Sequence, residues 1–263
     1  MEQLFGDMWD DYLKLNPLAQ KVYRLFTERG EAVVNDHIAL RTFNLPKVNM
    51  DRLAKVFVEN GYEEKGQYSF EAKKLNAKHY EAKDTRAPKV FISELKVETF
   101  SKGLQDKVAH FVDQIDESTL LDSHFVMSGR PWTLSYADYQ ALLSESEYAA
   151  WLAAFGYRPN HFTVYVNALK TLPSIQAVND FLEEHGVSLN SSGGKIKGTP
   201  EEGLVQSSTL ANHVVVKFSD GEREIPSCYY EFAQRFPING SEYTGFIAQS
   251  ADKIFESTNT SKD

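Results

Sequence analysis

The order of predicted elements in this chain occurs twice, and that repetition limits the folds open to it. In the first half, "DHIALRTF" (36–43) alternates as a strand. A helix follows near 48–60, with Leu53, Val56 and Phe57 inward and Asn60-Gly61 as its stop. "YSFEAKKLNAKHYEA" (68–82) reads as one or two strands and "KVFISELKV" (89–97) as another. In the second half, "HFTVYVN" (161–167) is the strand and "SIQAVNDFLEEHG" (174–186) the helix. "VSLNSSGGKIKG" (187–198), "LANHVVVKF" (210–218) and "EIPSCYYEFAQRF" (224–236) supply the later strands. The expected fold is α+β: two βαβββ modules, about 31–100 and 157–236, curled into an open, mostly antiparallel, barrel-like sheet covered by helices. Residues 1–255 are expected to form one domain. It begins with an amphipathic stretch (Phe5, Met8, Trp9, Tyr12, Leu13, then Val22, Tyr23, Phe26) and carries a helical insert at about 103–155. Residues 256–263 are expected to fray.

Several functional classes can be set aside as expectations. A net charge of −9 without a Lys/Arg cluster argues against a nucleic-acid partner. No apolar run reaches membrane-spanning length, and the first 30 residues lack a secretory core. The single cysteine, Cys228, excludes an internal disulfide framework, fits a reducing compartment and reads as a core filler. A cytoplasmic protein is expected.

The chemistry-bearing residues fall on the repeat. "DHIALRTF" and "NHFTVYVN" each open a strand with a polar residue and a histidine, while "FISEL" (91–95) and "CYYEF" (228–232) each place a glutamate in a final apolar strand. If the modules close into one sheet, His37, His161, Glu94 and Glu231 are candidates to meet. Imidazole and carboxylate are the donors that hold iron, manganese, zinc or nickel. Two histidines with one acid leave open positions for substrate and dioxygen, whereas a fourth ligand suits a Lewis-acid site. Glu231, between Tyr230 and Phe232, is costly to bury unless paired or coordinating. Glu94 has Lys89 and Lys96 nearby and reads as structural. His79 and His213 are reserve ligands, and His110, His124 and His185 read as surface or packing residues. Arg41, on the same strand face as His37, needs a carboxylate partner from the protein or from a ligand. "NSSGGKIKG" (190–198) lacks phosphate-loop spacing and reads as a glycine turn, bordering the site as a mobile flap with "VQSSTL" (205–210).

Taken together, "NDHIALRTF", "FEAKKLNA", "FISEL", "NHFTVYVN", "SSGGKIKG", "VQSSTLA" and "YYEFAQR" resemble the 2-oxoadipate dioxygenase/decarboxylase family, a branch of the vicinal oxygen chelate superfamily. The resemblance runs in order from about residue 5 to 250. It implies a non-haem Fe(II) enzyme with His37, His161 and Glu231 as iron ligands and Arg41 holding the 2-oxo acid. The implied reaction consumes dioxygen, releases carbon dioxide and turns 2-oxoadipate into D-2-hydroxyglutarate. Longer members of the family carry further C-terminal sequence that helps line the pocket, so a differently shaped 2-oxo acid is an expectation kept beside 2-oxoadipate. Two other readings stand next to it. One is a glyoxalase-like lyase or isomerase using Glu94 as fourth ligand, and the other a non-catalytic ligand-binding protein.

Overall fold

The computed structural model describes residues 1–255; the tail expected to fray, 256–263, lies outside the described residues. In chain order the elements begin with α1 (Glu2–Leu15), α2 (Pro17–Glu28), β1 (Asn35–Phe43), α3 (Met50–Glu59), β2 (Tyr62–Phe70), β3 (Leu75–Ala82) and β4 (Lys89–Leu95). The insert contributes α4 (Lys102–Asp113), α5 (Glu117–Leu121), α6 (Tyr136–Glu145) and α7 (Glu147–Phe155). The second half contains β5 (Pro159–Tyr165), α8 (Ile175–Glu184), β6 (Lys197–Thr199), β7 (Leu204–Ser208), β8 (His213–Phe218), β9 (Gly221–Pro226) and β10 (Tyr229–Arg235). The short strands β11 (Pro237–Ile238) and β12 (Ser241–Glu242) and the helix α9 (Ala248–Phe255) end it.

Eight strands form one curled sheet in the order β2-β3-β4-β1-β5-β10-β7-β6. The duplication is visible in that order, since each half runs strand, helix and three strands and the halves join where β1 pairs antiparallel with β5. Only β1–β4 and β5–β10 are parallel, so the sheet is mostly antiparallel, as expected.

Strand alternation separates two faces. On one face Phe162, Tyr230 and Phe232 meet Trp9 and Tyr12 of α1 and Phe26 of α2 through a run of ring contacts with centroids 5.0–6.3 Å apart. This face is the aromatic core. The opposite face carries His37, Arg41, His161 and Glu231 and is covered at one end by α7 and at the other by Phe246 and α9. Helix α7 is buried from Tyr148 to Phe155 and is tied down by polar bonds. The Tyr148 hydroxyl donates to the Ser93 carbonyl at 2.7 Å and the Trp151 indole to the Ser227 carbonyl at 2.6 Å.

Two expectations about the second half need correction. Residues 213–226 are not a strand of the main sheet; they form a separate β8–β9 hairpin. Its burial alternates only between exposed and half-buried until Phe218, which packs against Tyr136 and Tyr139 of α6. The strand sought there is β7, in the stretch expected to be a flap. Its polar residues are buried because each finds a partner: Gln206 donates to Glu231, and Ser207 to Asn179 Oδ1 at 2.7 Å.

One anchor links the amino-terminal helices to the sheet. Asn16 ends α1 and caps α2, accepting from the Ala19 amide at 3.2 Å and donating to the Tyr12 hydroxyl at 2.8 Å. The Tyr12 hydroxyl in turn donates to the carbonyl of Tyr229 at 2.6 Å, in the buried interior. Replacing Tyr12 with Phe removes the bond to that carbonyl and the acceptor of the Asn16 amide. The expected outcome is a loss of about 1–2 kcal/mol in urea unfolding with the slope unchanged; an unchanged midpoint contradicts it.

Candidate metal centre

Strand pairing arranges the site in rows. His37 of β1, Thr163 of β5 and Glu231 of β10 are successive partners across three strands. One row further along lie Phe91, Ala39, His161 and Tyr229, and beyond them Ser93 and Arg41. Paired residues share a face, so both histidines and Glu231 project to one side of the junction between the modules. Their donor atoms all lie within 4.8 Å of one another. His37 Nε2 is 3.6 Å from Glu231 Oε1, and His161 Nε2 is 3.2 Å from Glu231 Oε2.

Each donor is held by a neighbour. The Nδ1 of His37 lies 2.7 Å from Asp36 Oδ2, and since a carboxylate only accepts, Nδ1 carries the proton. Nε2 is then the lone-pair nitrogen, and it accepts from the Thr163 hydroxyl at 3.1 Å. Arg235 grips the same aspartate through two bonds of 2.6 and 2.9 Å. On the other module Asn160 Oδ1 lies 3.0 Å from His161 Nδ1 and sets the same tautomer. Gln206 Nε2 donates to Glu231 Oε1 at 2.5 Å. The polar residue preceding each histidine in the sequence is therefore its orienting partner, a role that the residue order alone did not reveal.

Burial dominates the electrostatics. It lowers the pKa of His37, against the opposing pull of Asp36. It lowers His161 further, with His37 and Arg41 adding to the effect. Both rings are neutral donors at pH 7. Burial also pushes the Glu231 carboxyl up to about 8, although the Gln206 bond opposes it. Asp36 goes the other way: burial raises it, but Arg235 and His37 outweigh that and hold it far below the usual range. Three acceptors thus face one another in a buried space, an arrangement that needs a proton or a cation between them. Two oriented neutral imidazoles and one carboxylate fit a divalent transition metal with positions left open. The cavity they bound with Gln206 is about 20 Å³, is lined also by Phe91, Phe246 and Ile254, and has room for an ion or a water molecule.

Glu94 does not join this cluster. It pairs with Thr42, on the opposite face of the sheet, and accepts from the Met50 amide at 3.0 Å at the start of α3. The four-ligand reading is therefore corrected: Glu94 serves the helix. His79 shares the row of Phe91 but lies three strands from His161, about 14 Å at ordinary strand spacing. Its ring is held by the Tyr68 hydroxyl at 2.8 Å and Glu81 at 2.9 Å. His213 is exposed on the β8–β9 hairpin. Arg41 is buried beside the insert, 3.4 Å from Glu147 and with its guanidinium 4.9 Å and 5.0 Å from the ring centres of Tyr148 and Trp151. Cys228 is a buried free thiol with its pKa pushed up to about 12 by burial, consistent with a core filler.

Comparison with known proteins bears on this geometry. The profile of the family described as 2-oxoadipate dioxygenase/decarboxylase matches residues 10–126 and 123–243. A chloroplastic 2-oxoadipate dioxygenase/decarboxylase from Arabidopsis thaliana is 35% identical over 286 residues, 97% of this chain and 76% of the relative. The crystal structure of hydroxyglutarate synthase from Oryza sativa in complex with 2-oxoadipate matches with a TM-score of 0.90 and 33% identity, over 98% of this chain and 91% of that one. The crystal structure of a Shewanella frigidimarina protein, provisionally described as a hydrolase, matches with a TM-score of 0.91 and 54% identity, over 94% and 97% of the two chains.

Two measurements check the site. Below about pH 8 Glu231 holds a proton that a metal must displace, while both histidines have none to give. Calorimetric titration with a divalent metal at pH 6.5–7, in buffers of different ionisation enthalpy, is expected to show about one proton released per ion. Affinity should rise with pH and level off above about 8; release of two or three protons contradicts the assignment. Asp36→Asn frees the His37 tautomer and leaves Arg235 buried without its counter-charge. Metal affinity is expected to fall about 10–100-fold and unfolding stability by about 3–5 kcal/mol.

Proposed function

The chain belongs to the 2-oxoadipate dioxygenase/decarboxylase family of enzymes, and from that premise we propose that it is an Fe(II)-dependent enzyme converting 2-oxoadipate to D-2-hydroxyglutarate with release of carbon dioxide. The observation that carries the reading is the convergence of His37, His161 and Glu231 within 4.8 Å, in a donor set suited to iron with open positions. Bound Fe(II) would supply dioxygen activation and the oxidative loss of the substrate's first carboxyl group. The balance closes without an external reductant: one 2-oxoadipate and one dioxygen give one 2-hydroxyglutarate and one carbon dioxide.

The protein's own residues bind, orient and exclude water. Asp36, Arg235 and Asn160 keep the two Nε2 lone pairs aimed at one point. Arg41 lies two residues beyond the His161 row and receives the distal carboxylate, which takes the place of Glu147, itself at a distance long for a charge-assisted bond. Phe246 and Ile254 of α9 line the space beside the donors, so a bound six-carbon dicarboxylate would pack against them. Their apolar side chains help keep water from a site that handles reactive oxygen. No helix among the described residues is long and apolar enough to cross a membrane, and we place the enzyme in the cytoplasm, where a lone buried thiol is at home.

Anaerobic loading with Fe(II), followed by aerobic addition of 2-oxoadipate, is expected to consume dioxygen and form 2-hydroxyglutarate and carbon dioxide in equal amounts. Glu231→Gln and His161→Ala should each reduce turnover by at least about 10³-fold through loss of the metal, measured by iron analysis and an oxygen electrode. Glu94→Gln should keep both iron and turnover. Absence of oxygen uptake by the iron-loaded wild type overturns the reading.

A further inference from the structure

Tyr229 is a fully buried residue of β10 whose hydroxyl finds no hydrogen-bond partner among the described residues. Leaving a buried hydroxyl unsatisfied is costly, and in a binding site it marks a place where a ligand atom belongs. Its position supports that meaning. Tyr229 pairs with His161, one row from Glu231 and on the same face, with Arg41 in the row beyond. Its ring stacks on the His161 imidazole at 4.6 Å and 27°. Its backbone is fixed by the Tyr12 bond to its carbonyl. The side chain is therefore held in one place before any ligand arrives, which limits the entropy lost on binding.

The charged groups that act on the hydroxyl are Glu231 on the metal side and Arg41 and Glu147 on the other. Two of the three thus belong to the end where a distal carboxylate would lie. Ala39, next to His161 in the same row, presents only a methyl group toward this face. The neighbouring Tyr230 supplies the contrast. Its hydroxyl is also buried and without a partner, but it faces the aromatic core, between Trp9, Tyr12 and Phe232.

We propose that the Tyr229 hydroxyl donates a hydrogen bond to the distal carboxylate of a 2-oxo dicarboxylic acid, sharing that group with Arg41. It thereby makes the site prefer a dicarboxylate over a 2-oxo monoacid of the same length. The proposal rests on the functional reading above and assigns a residue to specificity within it. A pocket built to bond a polar group discriminates against the analogue that lacks it more strongly than an apolar pocket can.

The test is anaerobic calorimetry on metal-loaded protein, comparing 2-oxoadipate with 2-oxohexanoate, for wild type, Tyr229→Phe and Tyr230→Phe. Metal affinity and melting temperature are measured on the same samples. Tyr229→Phe keeps the ring stacked on His161, so metal affinity should stay within about twofold. Its affinity for 2-oxoadipate should fall about tenfold, the effect of one bond to a charged group, with little change for 2-oxohexanoate. Tyr230→Phe should change neither. Equal losses for both acids, unchanged 2-oxoadipate affinity, or a parallel loss of metal affinity overturns the assignment while leaving the functional reading intact. A metal-loaded wild type that binds neither acid removes the functional reading, and this assignment falls with it.

Discussion

Three acceptor atoms pointing at one another inside a protein repel unless something positive lies between them. His37 Nε2, His161 Nε2 and the Glu231 carboxylate are in that position, with separations of 3.2 and 3.6 Å from each ring to the acid. Bulk solvent does not screen the repulsion, because all three side chains are buried. A proton on Glu231 relieves it in the metal-free protein, where burial pushes the acid's pKa up to about 8, and a divalent cation does so better. Much of the surrounding polar structure serves to keep the atoms there: the Arg235–Asp36–His37 chain, the Asn160–His161 bond and the Gln206 amide on Glu231.

The duplicated fold makes this convergence inexpensive in chain length. Each module places a strand bearing a histidine at the seam, and β10 brings Glu231 beside β5 through a parallel pairing. One face of the sheet is given to aromatic packing, so the other is free to carry polar rows. The helical insert departs from the symmetry and adds what the modules lack. Glu147, Tyr148 and Trp151 of α7 surround Arg41 and give that end of the site a charged and aromatic wall. Phe246 and α9 close the other end.

The seam was legible in the sequence because strand alternation and repetition are strong signals. The "DH" and "NH" dipeptides lie at matching positions, and a glutamate between Tyr230 and Phe232 is hard to explain as packing. Glu94 was harder to place, since alternation assigns it to a face only once the β1–β4 register is known, and Thr42 rather than His37 or Arg41 is its partner. The sequence misled most in "VQSSTL". Polar residues in a short run suggest a loop, yet β7 is buried because Glu231 and Asn179 lie far away in sequence and close in space. Helix α9 beside the site is not legible in the sequence for a related reason: a short helix is held by its contacts with β2, β6 and β7, which are distant in the chain.

The central claim is that three side chains from two repeated modules hold one divalent metal and leave room for other ligands. Crystals grown with Fe(II) without oxygen, measured on both sides of the iron absorption edge, address it directly. The account predicts a single anomalous peak per chain, about 2 Å from His37 Nε2, His161 Nε2 and a Glu231 oxygen, with the remaining positions open to solvent or substrate. A peak elsewhere, a fourth protein side chain on the metal, or no peak at all would contradict it.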